Sequence, residues 1–83
     1  MRIVLKLYAG LAQHLPPQAE DNTTTLEVPD QATAHNVIDE LKVPREKAHL
    51  ILLNGVYLNP DERDTPRFHE GDTLAIWPPV AGG

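Results

Sequence analysis

The sequence predicts an α+β domain in which one main helix packs on one face of a mixed sheet of four to five strands. Three observations lead to this fold class. Segments near both ends of the chain alternate between apolar and polar residues, which is the period of a half-buried strand. One central segment instead has apolar residues three and four positions apart, which is the period of a helix. The order of segments, strand-strand-helix-strand-strand, is typical of a helix covering one side of a sheet.

The first predicted strand is residues 2–9, RIVLKLYA. Ile3, Leu5 and Leu7 fall on one face of this strand, and Tyr8 falls on the other. The alternation predicts a strand with one side in the core.

A helical turn and a second strand are expected next. Leu11 and Leu15 are four residues apart, and the two prolines that follow would stop the turn. Residues 23–28, TTTLEV, are rich in β-branched residues and predict a strand. We expect this strand to pair with the first.

The main helix is predicted over residues 33–41, TAHNVIDEL. Thr33 or Asp30 can cap its first turn. Pro44 is expected to end it, because the residue before a proline is disfavoured in helical geometry. The apolar positions of the predicted helix face are Ala34, Val37, Ile38 and Leu41.

The C-terminal half is predicted to form a strand, a tight turn and a short strand over residues 49–58, with Asn54-Gly55 at the turn. Residues 59–70 are expected to form a long charged loop. The last strand is residues 73–77, TLAIW.

This order of elements is that of the β-grasp, or ubiquitin-like, fold. In that fold the first and last strands lie side by side, so Lys6, Tyr8 and Trp77 are expected to share the uncovered face of the sheet. Exposed aromatic side chains there would form a docking patch for a partner. The alternative is that they only cover the edge of the core.

Composition limits the function classes. A chain of 83 residues predicts one domain with a modest core and no deep cavity for a cofactor. A formal charge of −5 argues against a nucleic-acid partner and permits a partner with a basic docking surface. The absence of cysteine excludes a disulfide scaffold, a thiolate metal site and a cysteine nucleophile. No apolar run is long enough to cross a membrane, and we expect a cytoplasmic protein without a membrane partner.

The last six residues, 78–83, are predicted to form an extended tail on a domain of residues 1–77. Pro78 and Pro79 cannot donate hydrogen bonds to a sheet, and consecutive prolines favour an extended backbone. The final glycines lack a Cβ, so the tail can enter a narrow channel. The reactive group at its tip is the carboxylate of Gly83.

A carboxylate is a poor electrophile until it is activated. A partner enzyme that consumes ATP would convert it to an acyl-adenylate. A sulfur nucleophile would then displace AMP and leave a thiocarboxylate, or an amine would take the acyl group. The chain itself would bind no cofactor and would act as a covalent carrier with no catalysis of its own.

The sequence EGDTLAIWPPVAGG resembles the C-terminus of the small subunit of molybdopterin synthase, the MoaD-like proteins. It resembles more distantly the ThiS-like sulfur carriers of thiamine synthesis. VLKLYAGLAQHL is similar to the first strand and short helix of that family, and LLNGVYL to its central strand and turn.

This resemblance implies a role for each part of the tail and the docking patch. Gly83 would carry the thiocarboxylate after activation by an E1-like adenylyltransferase of the MoeB/ThiF type. A MoaE-like large subunit would accept the tail, where sulfur passes to a pterin precursor of the molybdenum or tungsten cofactor. The residues held by that subunit would be Pro78, Pro79, Val80, Ala81 and Gly82, and those of the docking surface would be Tyr8, Tyr57 and Trp77.

Other functions remain open at this stage. The same Gly83 chemistry would serve a ubiquitin-like protein modifier, or a carrier for thiamine synthesis or tRNA thiolation. A pure interaction module with an inert tail is a further alternative. A metal site is disfavoured because the histidines are widely spaced, and catalysis at Asp39-Glu40 or Asp61-Glu62 because the chain is small for a cleft. The four histidines are His14, His35, His49 and His69.

Overall fold

A computed structural model describes residues 1–79. The elements are β1 (Arg2–Leu7), β2 (Thr23–Glu27), α1 (Ala34–Glu40), β3 (Leu50–Leu53), β4 (Val56–Tyr57) and β5 (Thr73–Trp77). The sheet has five strands in the order β2-β1-β5-β3-β4. β1 pairs antiparallel with β2 and parallel with β5, and β3 pairs antiparallel with both β5 and β4. This is the predicted β-grasp arrangement.

The alternation predicted for β1 is confirmed, but the strand is shorter than residues 2–9. It ends at Leu7 because Ala9 has a φ of 53° and begins a 3-10 helix, Ala9–His14. That helix is the expected turn, and it buries Leu11. It ends at Leu15, whose extended backbone is the geometry favoured before a proline.

The start of α1 follows from its capping residues. The hydroxyl of Thr33 accepts a hydrogen bond from the backbone N–H of Asn36 at 3.1 Å. The side-chain oxygen of Asn36 accepts one from the backbone N–H of Thr33 at 2.9 Å. These reciprocal bonds satisfy donors that the first turn leaves free, so Thr33 is the cap. The apolar face of α1 packs on the sheet through Ala34, Val37 and Ile38.

The prediction that Pro44 ends α1 is wrong. The helix ends at Glu40, before the proline, and the chain then turns at a left-handed residue, Lys42, whose φ is 61°. The N–H of Lys42 donates to the carbonyl of Asp39 at 3.0 Å, and the N–H of Val43 donates to the carbonyl of Ile38 at 3.1 Å. These two bonds form a Schellman motif, which reverses the chain without a proline.

The predicted hairpin between β3 and β4 is confirmed. Asn54 and Gly55 have φ values of 51° and 83°. Two positive φ values in succession are those of a type I′ turn, which the Asn-Gly pair favours.

The prediction of a charged loop over residues 59–70 is incomplete. The segment contains a short 3-10 helix, Pro60–Glu62, and two buried side chains, Arg63 and Phe68. Phe68 belongs to the core cluster. The segment therefore closes one side of the core while most of its charged residues face solvent.

The core lies between α1 and one face of the sheet, called here the covered face. Large side chains from three neighbouring strands are fully buried there, so their apolar surface is removed from water. Those on the covered face are Ile3, Leu5, Leu7, Ile51, Leu74 and Ile76. Within residues 1–79, no helix has the length and apolarity needed to cross a membrane.

Candidate functional site: an aromatic patch beside the tail

The opposite side of the sheet, the open face, carries a stacked pair of aromatic rings. Leu7 is the register partner of Ile76, and the next residue on each strand is an aromatic one. Tyr8 and Trp77 stack with ring centroids 4.4 Å apart and planes inclined by 9°. The parallel pairing of β1 and β5 produces this contact, which confirms that the two residues share the open face.

The stacked pair is continuous with side chains from β3 and β4. Leu50 is the register partner of Trp77, and Leu52 is the partner of Tyr57. Leu50 and Tyr57 are 37% and 44% exposed, which is high for large apolar side chains. We call this surface the aromatic patch, formed by Tyr8, Leu50, Leu52, Tyr57 and Trp77.

Lys6 also lies on the open face, as predicted, opposite Ala75 of β5. Its ammonium group places a positive charge beside the patch. The two leucines of the patch were missed by sequence reasoning. Leu50–Leu53 is aliphatic throughout, so a period of two cannot be seen in it.

A buried arginine, Arg63, contacts the hydroxyl group and the ring of Tyr57. Its Nε and Nη2 atoms donate to the carbonyl of Leu58 at 3.1 and 3.0 Å. Nη2 also reaches the carbonyl of His49 at 3.4 Å and the Tyr57 hydroxyl at 3.3 Å. The guanidinium carbon lies 5.7 Å from the centre of the Tyr57 ring, within cation–π range. Arg63 therefore fixes the position of one patch residue.

The turn that presents Arg63 is held by a carboxylate cap. A side-chain oxygen of Glu62 accepts hydrogen bonds from the backbone N–H and side-chain amide of Asn59, at 2.8 and 3.0 Å. The backbone bond from Asn59, aided by its side chain and by the charge of Arg67, lowers the pKa of Glu62 below its usual value. Sequence reasoning missed both Arg63 and this cap. Arg63 has no local signal, because its acceptors lie at separate positions. The cap does have one, since Asn59 precedes Glu62 by three residues with Pro60 between them, which is a capping-box pattern.

The tail begins directly beside the aromatic patch. The Trp77 carbonyl accepts a hydrogen bond from the N–H of His49 at 3.0 Å, which is the end of the β3–β5 ladder. Pro78 is half-buried and Pro79 is exposed. The remaining predicted tail residues, Val80, Ala81, Gly82 and Gly83, lie outside the described residues.

Two of the other candidate groups, Asp39 and His35, have structural partners. Asp39 accepts hydrogen bonds from Nε and Nη2 of Arg45 at 3.1 and 2.8 Å, and these bonds lower its pKa. His35 contacts Asp64, with 2.8 Å between Nδ1 and Oδ1. In the part of the chain from residue 1 to 79, no three histidine or acidic side chains are grouped to hold a metal ion.

Comparison with known proteins agrees with this architecture. The model of the ThiS family matches residues 9–83. Among proteins of curated function, no sequence matches this chain. The crystal structure of SAMP1 from Haloferax volcanii is similar with a TM-score of 0.67 and 25% identity, covering 100% of both chains.

Two further solved structures share the fold. The Haloferax volcanii HVO 2177 protein has a TM-score of 0.78 and 21% identity, covering 100% of this chain and 87% of its own. A complex of subunits 1 and 2 of molybdopterin-converting factor from Helicobacter pylori 26695 contains a chain with a TM-score of 0.61 and 16% identity, with 100% of both chains covered. By its match to this family's model over residues 9–83, the chain belongs to the ThiS family, and its fold is the β-grasp, or ubiquitin-like, fold.

Proposed function

We propose that this chain carries sulfur as a thiocarboxylate on Gly83 and delivers it, as a MoaD-like small subunit, to the synthesis of molybdopterin. The observation that carries the proposal is the family match over residues 9–83, which includes the terminal diglycine. The aromatic patch supports it, because a carrier needs a surface by which its enzymes recognise it and bring the tail to their active sites.

The proposed chemistry takes place on the terminal carboxylate. One carboxylate oxygen of Gly83 attacks the α-phosphate of ATP, pyrophosphate leaves, and an acyl-adenylate forms. A hydrosulfide equivalent supplied by the partner system attacks the acyl carbon, and AMP leaves. The product is a thiocarboxylate. When its sulfur is transferred to an acceptor and water supplies the replacement oxygen, the carboxylate is regenerated.

In this series of reactions, the proposed role of the described residues is to be recognised by the partner enzymes and to position the tail. The Tyr8–Trp77 stack and Tyr57 present a rigid apolar surface directly before Pro78, where the chain leaves the sheet. Aromatic side chains are frequent anchors of protein interfaces because they bury a large area with few rotatable bonds. An E1-like adenylyltransferase and a MoaE-like large subunit would use this surface in turn.

The test is a reconstitution with the E1-like adenylyltransferase of the source cell, ATP and sulfide, followed by intact-mass measurement and fragmentation of the C-terminal peptide. We expect sulfur in place of one oxygen on Gly83. Oxidation of Met1 to the sulfoxide adds nearly the same mass, so fragmentation must assign the change to the last residue. A carboxylate that remains unchanged on Gly83 would contradict the proposal.

A matched control separates tail chemistry from surface binding. A variant with one alanine appended after Gly83 keeps the aromatic patch and converts the carboxyl group of Gly83 to an amide. It should bind the adenylyltransferase and gain no sulfur. Addition of a pterin precursor and a MoaE-like subunit to the loaded wild-type protein then tests the molybdopterin role, which requires formation of a dithiolene.

A protein modifier is the second candidate. Its support is the likeness to SAMP1 at 25% identity over the whole chain, and a second structure, of small archaeal modifier protein 1 from Haloferax volcanii, at 26%. In this function a lysine amine, and not sulfur, displaces AMP from Gly83. Detection of Gly83 in an isopeptide bond in protein from its native cells would favour the modifier, whereas a free thiocarboxylate favours the sulfur carrier.

A further inference from the structure

We infer that the free edge of β2, together with an apolar groove beside α1, binds an extended aliphatic peptide segment with basic flanks. This site lies at the opposite edge of the sheet from β4 and does not include the aromatic patch. It would recognise a partner independently of the tail.

The groove opens between β2 and α1. It has a volume of about 410 Å³. Leu26, Val28 and Leu41 line it and are only partly buried against the core, while Val37 forms its buried floor. Side chains of these sizes leave apolar surface open to water, and its burial by a ligand is favourable.

The edge of β2 supplies backbone hydrogen-bonding groups beside this groove. Asn22 and Val28 bond to β1 through their backbone, with Leu7 N–H to Asn22 carbonyl at 3.0 Å and Val28 N–H to Met1 carbonyl at 2.8 Å. In an antiparallel ladder the bonded residues alternate, so the even-numbered residues of β2 face β1.

The odd-numbered residues therefore direct their N–H and carbonyl groups away from β1. Those of Thr23 exchange hydrogen bonds with Glu20 at 2.9 and 3.1 Å. Those of Thr25 and Glu27 point to the free edge, because β2 is the outermost strand. An added strand would bond to these groups and place alternate side chains in the groove, which is the β-augmentation mode of peptide binding.

The negative charge of the groove favours a basic ligand. Glu27 and Glu40 line the groove, and its other lining residues within the described chain are uncharged. Arg2 already pairs with Glu27 at 2.9 Å, which leaves Glu40 as the more available charge. A second copy of this chain would bring glutamates against glutamates at a two-fold axis, with a formal charge of −5 on each copy. A peptide with lysine or arginine beside its aliphatic residues is complementary to this rim.

The test uses the full chain and a capped synthetic peptide that has a short run of valine and isoleucine between lysine pairs. Binding is followed by amide chemical shifts in NMR and by fluorescence titration. We expect the largest shifts in β2 and α1. A peptide with glutamates in place of lysines should bind about fivefold more weakly, which is the upper end of the range for an exposed ion pair.

Two pairs of variants sharpen the test. Glu40→Lys should weaken the lysine peptide about fivefold, while Glu46→Lys, which makes the same charge change away from the groove, should not. Thr25→Pro removes an outward N–H that β1 does not use, and should weaken binding about tenfold relative to Thr25→Ala. Thermal unfolding of all four variants checks that they fold.

Four results would overturn the inference. Three of them concern the peptides: no saturable binding by the lysine peptide, largest shifts on the aromatic patch, and equal binding of the lysine and glutamate peptides. Concentration-dependent dimerisation through β2, measured by sedimentation, would also overturn it, because the occupant would then be a second copy.

Discussion

The two faces of the sheet are built from the same strands and differ in what covers them. On the covered face, Leu7 and Ile76 are register partners and fully buried under α1. One residue further along the same two strands, Tyr8 and Trp77 stack on the open face and remain partly accessible. The comparison teaches that a shift of one residue along β1 and β5 separates side chains that maintain the fold from side chains that are available to a partner.

The largest expected effect is a loss of stability caused by a substitution on the covered face. Ile76→Ala removes a fully buried side chain in the central strand and should lower the free energy of unfolding by about 2–5 kcal/mol. Urea unfolding followed by circular dichroism measures it. An equal loss from Val56→Ala, an exposed residue, would show that burial does not distinguish these positions.

A substitution at the next residue, on the open face, should weaken binding to a partner and leave the fold intact. Trp77→Ala removes one ring of the stack and should weaken binding to the E1-like partner by about 30-fold, as expected for an interface hot spot. Its cost in unfolding free energy should be near the value of an aromatic pair, about 0.5–1.5 kcal/mol. Isothermal titration and urea unfolding measure the two effects. Unchanged affinity in a folded variant would remove Trp77 from the docking surface.

A third substitution tests whether the open face depends on a buried support. Arg63→Met leaves the carbonyls of Leu58 and His49 without their donor and should cost about 1–3 kcal/mol in unfolding free energy. It should also mobilise the Tyr57 ring, which NMR relaxation measures. Arg67→Met in the same segment removes an exposed ion pair with Glu62 and is the matched control. Identical Tyr57 relaxation in both variants would contradict the supporting role of Arg63.

The smallest effect concerns pH. The folded-state pKa of Glu62 is lowered by the Asn59 backbone bond, so its contribution to stability is complete above the ordinary glutamate pKa. The contribution disappears as pH falls below about 4.3 towards the lower folded value. Glu62→Gln should therefore flatten the decline of unfolding free energy in this acidic range. An unchanged decline in the Glu62→Gln variant would contradict the assignment.

The parts of the fold that could be predicted are those determined by residues close together in the sequence. Alternation in β1 and the Asn54-Gly55 turn depend on neighbouring residues, and both are confirmed. The pairing of Tyr8 with Trp77 follows once β1 and β5 are placed side by side. The burial of Arg63 has no local signal, because its acceptors come from three separate positions. The end of α1 at Lys42 was missed because a left-handed lysine has no signature comparable to glycine.

The central position of β5 has a consequence for biosynthesis. β5 is the third of five strands and pairs with β1 and β3, so the sheet cannot be completed until Thr73–Trp77 has left the ribosome. Such pairing between distant parts of a chain slows folding, because the intervening segments must be closed before the strands can meet. A chain terminated before Thr73 would lack both the central strand and half of the Tyr8–Trp77 stack. Recognition through the aromatic patch would then be reserved for molecules in which β5 has been made and paired.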